Sequence, residues 1–315
     1  LGTSALRKLA SQADVVIENF RPGVMDRLGI GYETLSEEHP QLIYVAISGF
    51  GPDGPYREQP AYDMIIQAMS GFSKLLGSDD KPKLISNLMA DKTSGMTAAW
   101  ATMAALFSRE RDGRGQRVDV SMLDAFASFV LPDAFGPYAF GEPPGDPALG
   151  EMIYRAWETA DGHVACLAVE DHQFAALCKV MEREDLLADE RYASLMGRIQ
   201  NGVELFATME VELRKFTTDE LMRRAHEHGA PLGAVNDIDA FLADPQVQHN
   251  QTVFELEHPE AGPIALFRSA PRFQNTPSDV RRVPPKLGEH TEEVLREAGL
   301  TEKEIDALVG RPASN

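Results

Sequence analysis

The stretch "LISNLMADKTSGMTAAWATMAALF", residues 84 to 107, runs through apolar residues to one carboxylate, Asp91, and leaves it as a small-residue segment with helical spacing. Two chemistries suit an aspartate at such a junction. As an N-cap, its side chain accepts a hydrogen bond from an otherwise unpaired amide of the first helical turn. As a nucleophile, it stays ionised beside the partial positive charge of the helix start while apolar neighbours exclude water. The stretch by itself leaves both open. Few other residues compete for a chemical role. The eight histidines are scattered. "HEH" at 226 to 228 lies on a charged helix and His163 and His172 flank a strand, so no metal-ligand spacing emerges. Cys166 and Cys178 sit among apolar neighbours and form no CxxC pair, which reads as small buried hydrophobes in a reducing compartment. "GFGPDGP" at 49 to 55 is glycine-rich after a strand, yet matches neither a dinucleotide fingerprint nor a Walker loop. A Gly-x-Ser-x-Gly elbow is absent from the sequence.

The elements that must position these residues read as α/β. Residues 14 to 20 and 42 to 48 are short, continuous, β-branched runs bounded by Gly and Pro, the pattern of strands buried on both faces of a parallel sheet. "GVMDRLGIGYETLSEEHP" between them predicts a helical connection. "AYDMIIQAMSGFSKLLG" predicts a helix with Tyr62, Ile66 and Met69 on one face. After Asp91, Met96, Trp100, Met103 and Phe107 recur with helical spacing and predict an apolar stripe facing a core. "RVDVSM" predicts the next strand, followed by a helix from about 123 to 131. From Pro132 the chain is dense in Pro and Gly and reads as a linker or loop. A hairpin turning at Asp161-Gly162, several helices including one with a cap at Thr217 or Thr218, Pro-punctuated strands from about 253 and two short acidic helices complete the chain.

At 315 residues and 43% hydrophobic, the chain has the length of two domains and can bury a real core. Its formal net charge of −19 argues against a nucleic-acid partner, because phosphate backbones need clustered Lys and Arg. An anionic ligand would need a local site built from a few arginines. No run has the length of a transmembrane helix and the start lacks a signal-peptide plan, so the expectation is a cytoplasmic protein without a membrane partner. The sequence opens inside an amphipathic helix that leads directly into a strand, which raises the expectation that a preceding strand has been lost.

"DVVIENFRPGVMDRLGIGYETLSEEHPQLIYVAISGFGPDGPY" resembles, along its whole length, the CaiB/BaiF family, the family III CoA-transferases. So do "AYDMIIQAMSG", "LMADKTSG", "GRGQRVDVSMLDA" and "LGEHTEEVL", in the family order, from about residue 12 to 300. The resemblance implies that Asp91 is the nucleophile of a transferase that moves CoA from an acyl-CoA to a carboxylic acid through mixed anhydrides and an aspartyl-CoA thioester. On that implication CoA and acyl-CoA are substrates, with no bound cofactor and no metal. "ENFRPGVMDRLG" matches the family's CoA-binding block and makes Asn19, Phe20, Arg21, Arg27 and Leu28 candidates, the arginines for phosphates and Phe20 for adenine. Tyr62 and Asp63 fall where the family places side chains facing the nucleophile, and Gly49 and Gly51 are expected to let backbone amides approach an anion. The "GEPPGDPALG" loop occupies the place of a glycine-rich lid in some members but is much poorer in glycine.

The implied architecture is a Rossmann-like large domain over residues 1–131, without the family's N-terminal strand-helix segment, and a linker over 132–152. A smaller mixed, mainly helical domain follows over 153–243, then a return linker and C-terminal helices packing on the large domain over 244–315. Two chains interlock through the long linkers as a homodimer. Two other readings compete. An α-methylacyl-CoA racemase of the same fold pairs its aspartate with a histidine where this chain has Tyr62, and a tyrosine is a poor base near neutral pH. A non-catalytic homologue would bind CoA without forming an aspartyl thioester.

Overall fold

Three β-branched runs pair in parallel. In the computed structural model, which describes residues 2–141 and 154–310, β1 (Val15–Glu18), β2 (Ile43–Ser48) and β3 (Arg117–Ser121) form one sheet in the order β1-β2-β3. Ile17 lies opposite Val45, and Val45 opposite Val118. Successive side chains point to opposite faces. Ile43, Val45 and Val120 therefore join one apolar cluster, while Tyr44 and Ala46 join another. The central strand β2 is buried from Ile43 to Ala46, as expected of a strand covered on both sides.

The Tyr44 face is covered by residues of α1 (Gly2–Ala10) and α3 (Tyr32–Glu38), chiefly Ala10 and Leu35. The connection between β1 and β2 is helical as predicted, but broken into α2 (Val24–Arg27) and α3 by Gly29, whose φ of 71° ends the first piece. Likewise the single helix expected across 62 to 76 divides at Gly71 (φ 86°) into α4 (Asp63–Met69) and α5 (Phe72–Leu76). Of the predicted stripe only Ile66 is buried; Tyr62 and Met69 are exposed.

The opposite face is covered by α6 (Met89–Asp112), and here the structure inverts the expected amphipathicity. Met96, Trp100, Met103 and Phe107 are 66%, 64%, 66% and 61% exposed, whereas Ala90, Thr93, Ser94, Ala98, Thr102 and Ala105 are buried. Small side chains let the helix approach the sheet closely. Burying their hydroxyls leaves no donor unpaired: Ser94 Oγ donates to the Ala90 carbonyl and Thr102 Oγ1 to the Ala98 carbonyl, each at 2.6 Å. Gly113, at φ 73°, ends the helix and its amide donates to the Arg109 carbonyl.

Beyond β3, α7 (Met122–Val130) starts at Ser121, whose hydroxyl accepts the Asp124 amide. The segment from Pro132, expected as linker, is instead helical as α8 (Pro132–Ala139). Pro132 takes the first helical position, where its missing N–H is not needed, and Pro137 is accommodated inside this short helix. Apart from Gly141, the candidate lid at 141 to 150 lies outside the described residues.

The chain divides into two compact units, Leu1–Gly145 with Pro285–Asn315, and Asp146–Pro284. In the second, β4 (Trp157–Glu158), β5 (His163–Cys166) and β6 (Leu232–Ala234) pair antiparallel. They are accompanied by α9 (Asp171–Val180), α10 (Leu195–Gln200), α11 (Gly202–Leu213), α12 (Thr218–His228), α13 (Ile238–Ala243) and α14 (Pro245–Asn250). Trp157, Phe174, Leu177, Leu213 and Leu221 centre its core. The Asp161-Gly162 turn sits between β4 and β5, and Asp161 Oδ1 accepts the Thr218 amide at 2.7 Å, while Thr217 caps α12. β7 (Val253–His258) and β8 (Gly262–Phe267) form a separate hairpin. In the first unit, α15 (Thr291–Glu297) and α16 (Glu302–Val309) bury Leu295 and Ile305 with Ala5 of α1. Among the described residues no helix is long and apolar enough to cross a membrane.

One close approach sets the path from β2 to α4. A Cβ on Gly49 would lie 2.1 Å from the Cβ of Ala61, so only glycine lets the end of β2 meet the residue before Tyr62. Gly49→Ala is expected to destabilise the protein by about 1–3 kcal/mol through overpacking, read as a lower urea midpoint with unchanged slope.

Candidate active site

In parallel α/β sheets the carboxyl ends of the strands open into a crevice that takes ligands. Here β1 ends at Glu18 and leads directly into Asn19, Phe20 and Arg21; β2 ends at Ser48 and leads into Gly49. The candidates from the sequence thus follow two adjacent strand ends. The loop from 49 to 62 links the second of these to α4.

Asp63, the first residue of α4, is only 6% exposed. A buried carboxylate is tolerated only when its oxygens are satisfied. Oδ1 accepts from Gln67 Nε2 at 2.5 Å, and Oδ2 accepts the backbone amide of Asp91 at 3.0 Å. Asp63 therefore performs the capping that sequence reading allowed to Asp91. Asp91 is not the N-cap: Leu88 holds that position without a side-chain bond, and Asp91 lies in the first turn of α6. Its own carboxylate is released for other chemistry.

Gln67, 2% exposed, holds the approach to Asp91 in place. Its Nε2 also donates to the carbonyls of Asn87 (3.0 Å) and Ile85 (3.3 Å), while its Oε1 accepts the Ile85 amide at 2.8 Å. One amide side chain thereby pins the segment entering α6 to α4. Beneath lies an apolar floor of Ile66, Ala90 and Phe126, with Phe50, Ala61 and Met89 packed against it.

The Asp91 carboxyl is exposed, yet its pKa is raised, first by partial desolvation and then by the Asp63 charge. The neighbouring cation does not offset this, because Lys92 Nζ is drawn to Asn87 Oδ1 at 2.6 Å. The result is a solvent-reachable carboxylate more basic than an ordinary aspartate and held by its backbone. Such a group can attack an electrophilic carbon.

The sequence-derived residues fall into two groups. Asp63 and Asp91 are hydrogen-bonded, with Tyr62 adjacent, 71% exposed and holding the N-cap of α4 through its backbone. Asn19, Phe20, Arg21, Arg27 and Leu28 gather beyond β1 and are all exposed. Gly49 packs closely against Ala61, and the Gly51 amide donates to Ser48 Oγ at 3.2 Å. Sequence reading missed Gln67 and Arg57. A glutamine one turn after Asp63 inside an apolar run was the signal for the first. Arg57 is brought to Arg27 only by the fold: a Cβ on Gly23 would meet guanidinium nitrogens of both, at 3.3 Å for Arg27 and 3.4 Å for Arg57.

A polar cleft adjoins Phe20, Pro22 and Gly23 on the Tyr44 side of the sheet. Glu18 Oε2 accepts the Phe20 amide at 2.7 Å, and Arg117 grips Asp119 through Nε and Nη2. Burial pushes both Glu18 and the Tyr44 hydroxyl up. Among the described residues no group of three His, Cys, Asp or Glu side chains is placed to hold a metal.

Asp63→Asn is expected to lower the Asp91 titration midpoint, since the nearby negative charge disappears, as read by 13C NMR of the aspartate carboxyls. The same change mispairs one of two buried hydrogen bonds and costs about 1–3 kcal/mol of stability.

Comparison with known proteins gives this geometry a family. Residues 1–291 match CoA-transferase family III. A succinate–glutarate CoA-transferase of Agrobacterium fabrum is 34% identical over 306 residues, covering 96% of this chain and 76% of that protein. Human succinyl-CoA:glutarate CoA-transferase is 31% identical over 301 residues, covering 94% of this chain and 68% of that protein. The crystal structure of a CaiB/BaiF family protein from Brucella suis superposes with a TM-score of 0.77 at 32% identity, covering 94% of this chain and 78% of that one. With the mixed α/β fold, the order of its motifs and these likenesses in agreement, the chain belongs to CoA-transferase family III.

Proposed function

We propose that this protein transfers coenzyme A from an acyl-CoA to a carboxylic acid, with Asp91 as the nucleophile. The observation that carries the reading is the division of labour at the start of α6: Asp63 takes the capping bond, and the carboxylate of Asp91 is left basic and accessible. An Asp91 oxygen attacks the thioester carbonyl carbon, the C–S bond breaks, and CoA thiolate leaves with a mixed anhydride behind it. The thiolate then attacks the Asp91 acyl carbon and expels the donor acid as its carboxylate. The acceptor carboxylate attacks the resulting aspartyl thioester and releases thiolate again. Thiolate attacks the acceptor's carbonyl in the second anhydride, which yields the new acyl-CoA and returns Asp91 as a carboxylate. No net proton is consumed. The exchange is divided into steps whose leaving groups, thiolate and carboxylate, are both stable anions.

The acids named in the two relatives, succinate and glutarate, make short dicarboxylates the first donors and acceptors to assay. Phe20, 53% exposed beside Arg21 and Arg27, suits the base and phosphates of the coenzyme. A racemase reading is disfavoured by Tyr62, whose phenol cannot readily accept and return a proton near neutral pH.

The architecture completing this reading is a Rossmann-like large domain, a smaller domain and long linkers, with two chains interlocked. The inverted face of α6 supports it, because four large apolar side chains lie exposed along one helix. A second copy covering them removes that surface from water. We place the protein in a reducing cytoplasm, in keeping with two unbridged cysteines whose thiols are pushed up by burial, to about 12 for Cys166 and about 11 for Cys178.

Asp91→Asn and Asp91→Ala are expected to abolish transfer, by about 10³-fold or more, while circular dichroism stays unchanged. Hydroxylamine added to wild type with succinyl-CoA should leave a hydroxamate on the peptide carrying Asp91. Retained turnover in either variant sinks the assignment, and exchange of an α-hydrogen without an adduct points to the racemase branch. Trp100→Glu with Met103→Glu is expected to shift the protein from dimer to monomer in sedimentation velocity; an unchanged mass places the interface elsewhere.

A further inference from the structure

Two guanidinium groups converge on Gly23. That residue has φ 81°, and a Cβ there would lie 3.3 Å from Arg27 Nη1 and 3.4 Å from Arg57 Nη2. The glycine thus keeps open the point at which both side chains meet, and an L-residue would be strained there as well as crowded. Arg27 makes no ion pair among the described residues. The ion pair of Arg57 is a long one, Nε to Glu58 Oε1 at 3.6 Å, with the Glu58 side chain 72% exposed. In a chain of net charge −19, carboxylates to neutralise such cations are plentiful, yet neither guanidinium group makes a short ion pair among the described residues. Like charges at close range repel unless an anion is shared. The anion that suits two planar forks is a phosphate, whose oxygens accept paired N–H bonds. A cleft whose walls include Phe20, Pro22 and Gly23, and also Glu18, Asp26 and Asp119, adjoins the same point.

We propose that Arg57 is a phosphate-binding residue that, with Arg27 across Gly23, grips the nucleotide end of the coenzyme. The proposal rests on the reading of the protein as a user of CoA, but not on the identity of its nucleophile. It also gives the loop from 49 to 62 a second task. Its Arg57 holds the phosphate, and its end leads through Ala61 and Tyr62 to the Asp63 that supports Asp91.

Equilibrium binding tests this without any turnover. CoA, 3′-dephospho-CoA and pantetheine are titrated calorimetrically into wild type, Arg57→Gln and, as a charge-matched control, Arg114→Gln, an exposed arginine in the connection between α6 and β3. Arg57→Gln is expected to weaken CoA by about 10- to 100-fold, the range of one charge-assisted hydrogen-bonded contact, and to leave pantetheine unchanged. Arg114→Gln should match wild type throughout. A loss that persists with 3′-dephospho-CoA assigns the clamp to the diphosphate; a loss confined to CoA assigns it to the 3′-phosphate. Unaltered CoA affinity in Arg57→Gln, equal weakening of pantetheine, or absence of CoA binding in wild type overturns the proposal. Normal phosphate-dependent binding with no transfer would instead overturn the transferase reading alone.

Discussion

The hydrogen bond from the Asp91 amide to Asp63 Oδ2, 3.0 Å long, is the interaction on which the site depends. It does two things that conflict when a single residue attempts both. The first turn of a helix needs an acceptor for its free amides, and the natural acceptor is the aspartate side chain at its start. A carboxylate used that way has its lone pairs committed and its basicity lowered. Supplying the acceptor from α4 frees Asp91 and places a second negative charge beside it, which moves its basicity the other way. The cost is a buried carboxylate, and Gln67 meets it with a 2.5 Å bond to the other oxygen.

That arrangement constrains the surrounding chain. Asp63 reaches the start of α6 because α4 follows β2 through a loop held at Gly49 against Ala61. Its partner amide is in register because Gln67 bonds both Ile85 and Asn87 in the segment entering α6. The helix itself stays close to the sheet because its inward side carries Ala, Ser and Thr. Larger inward residues would lift α6 off the sheet and open the Asp63–Asp91 bond, whose strength falls steeply with distance. The bulky residues Met96, Trp100, Met103 and Phe107 lie outward.

This inversion also marks the limit of what the sequence makes legible. The central strand at 43 to 48 was readable because burial on both faces demands a continuous apolar, β-branched run, and its neighbours at 15 to 18 and 117 to 121 carry the same β-branched residues at mostly half-buried positions. The length of α6 was readable from its spacing, but the side facing the core was not. Periodicity finds the apolar face of a helix and assumes that this face looks inward, an assumption that fails when close approach to the sheet matters more than area buried per residue. The same limit applies to α8, where Pro and Gly suggested a linker and a proline in the first position instead opened a helix. At the site, Asp91 stood out as the one carboxylate at a run-to-helix junction. Asp63 was reachable through family likeness and Gln67 through its spacing one turn after Asp63, whereas Arg57 emerged only from the fold, because Arg27 lies far from it along the chain.

The acidity of the chain makes the placement of its arginines informative. A uniformly acidic surface repels a nucleotide thioester that is itself strongly anionic, so long-range attraction cannot be what brings such a ligand in. Recognition must be local and geometric. Several arginines elsewhere are occupied: Arg117 by Asp119, Arg183 by Asp185 and Glu212, Arg191 by Asp189 and Glu204, Arg223 by Glu220 and Glu227. Near Gly23, Arg27 has no ion pair among the described residues and Arg57 has only the long contact to Glu58. Two guanidinium groups held close together repel, and an anion shared between them relieves that repulsion. One loop thus carries Arg57 toward Gly23 and leads on to Asp63, whose charge raises the basicity of Asp91.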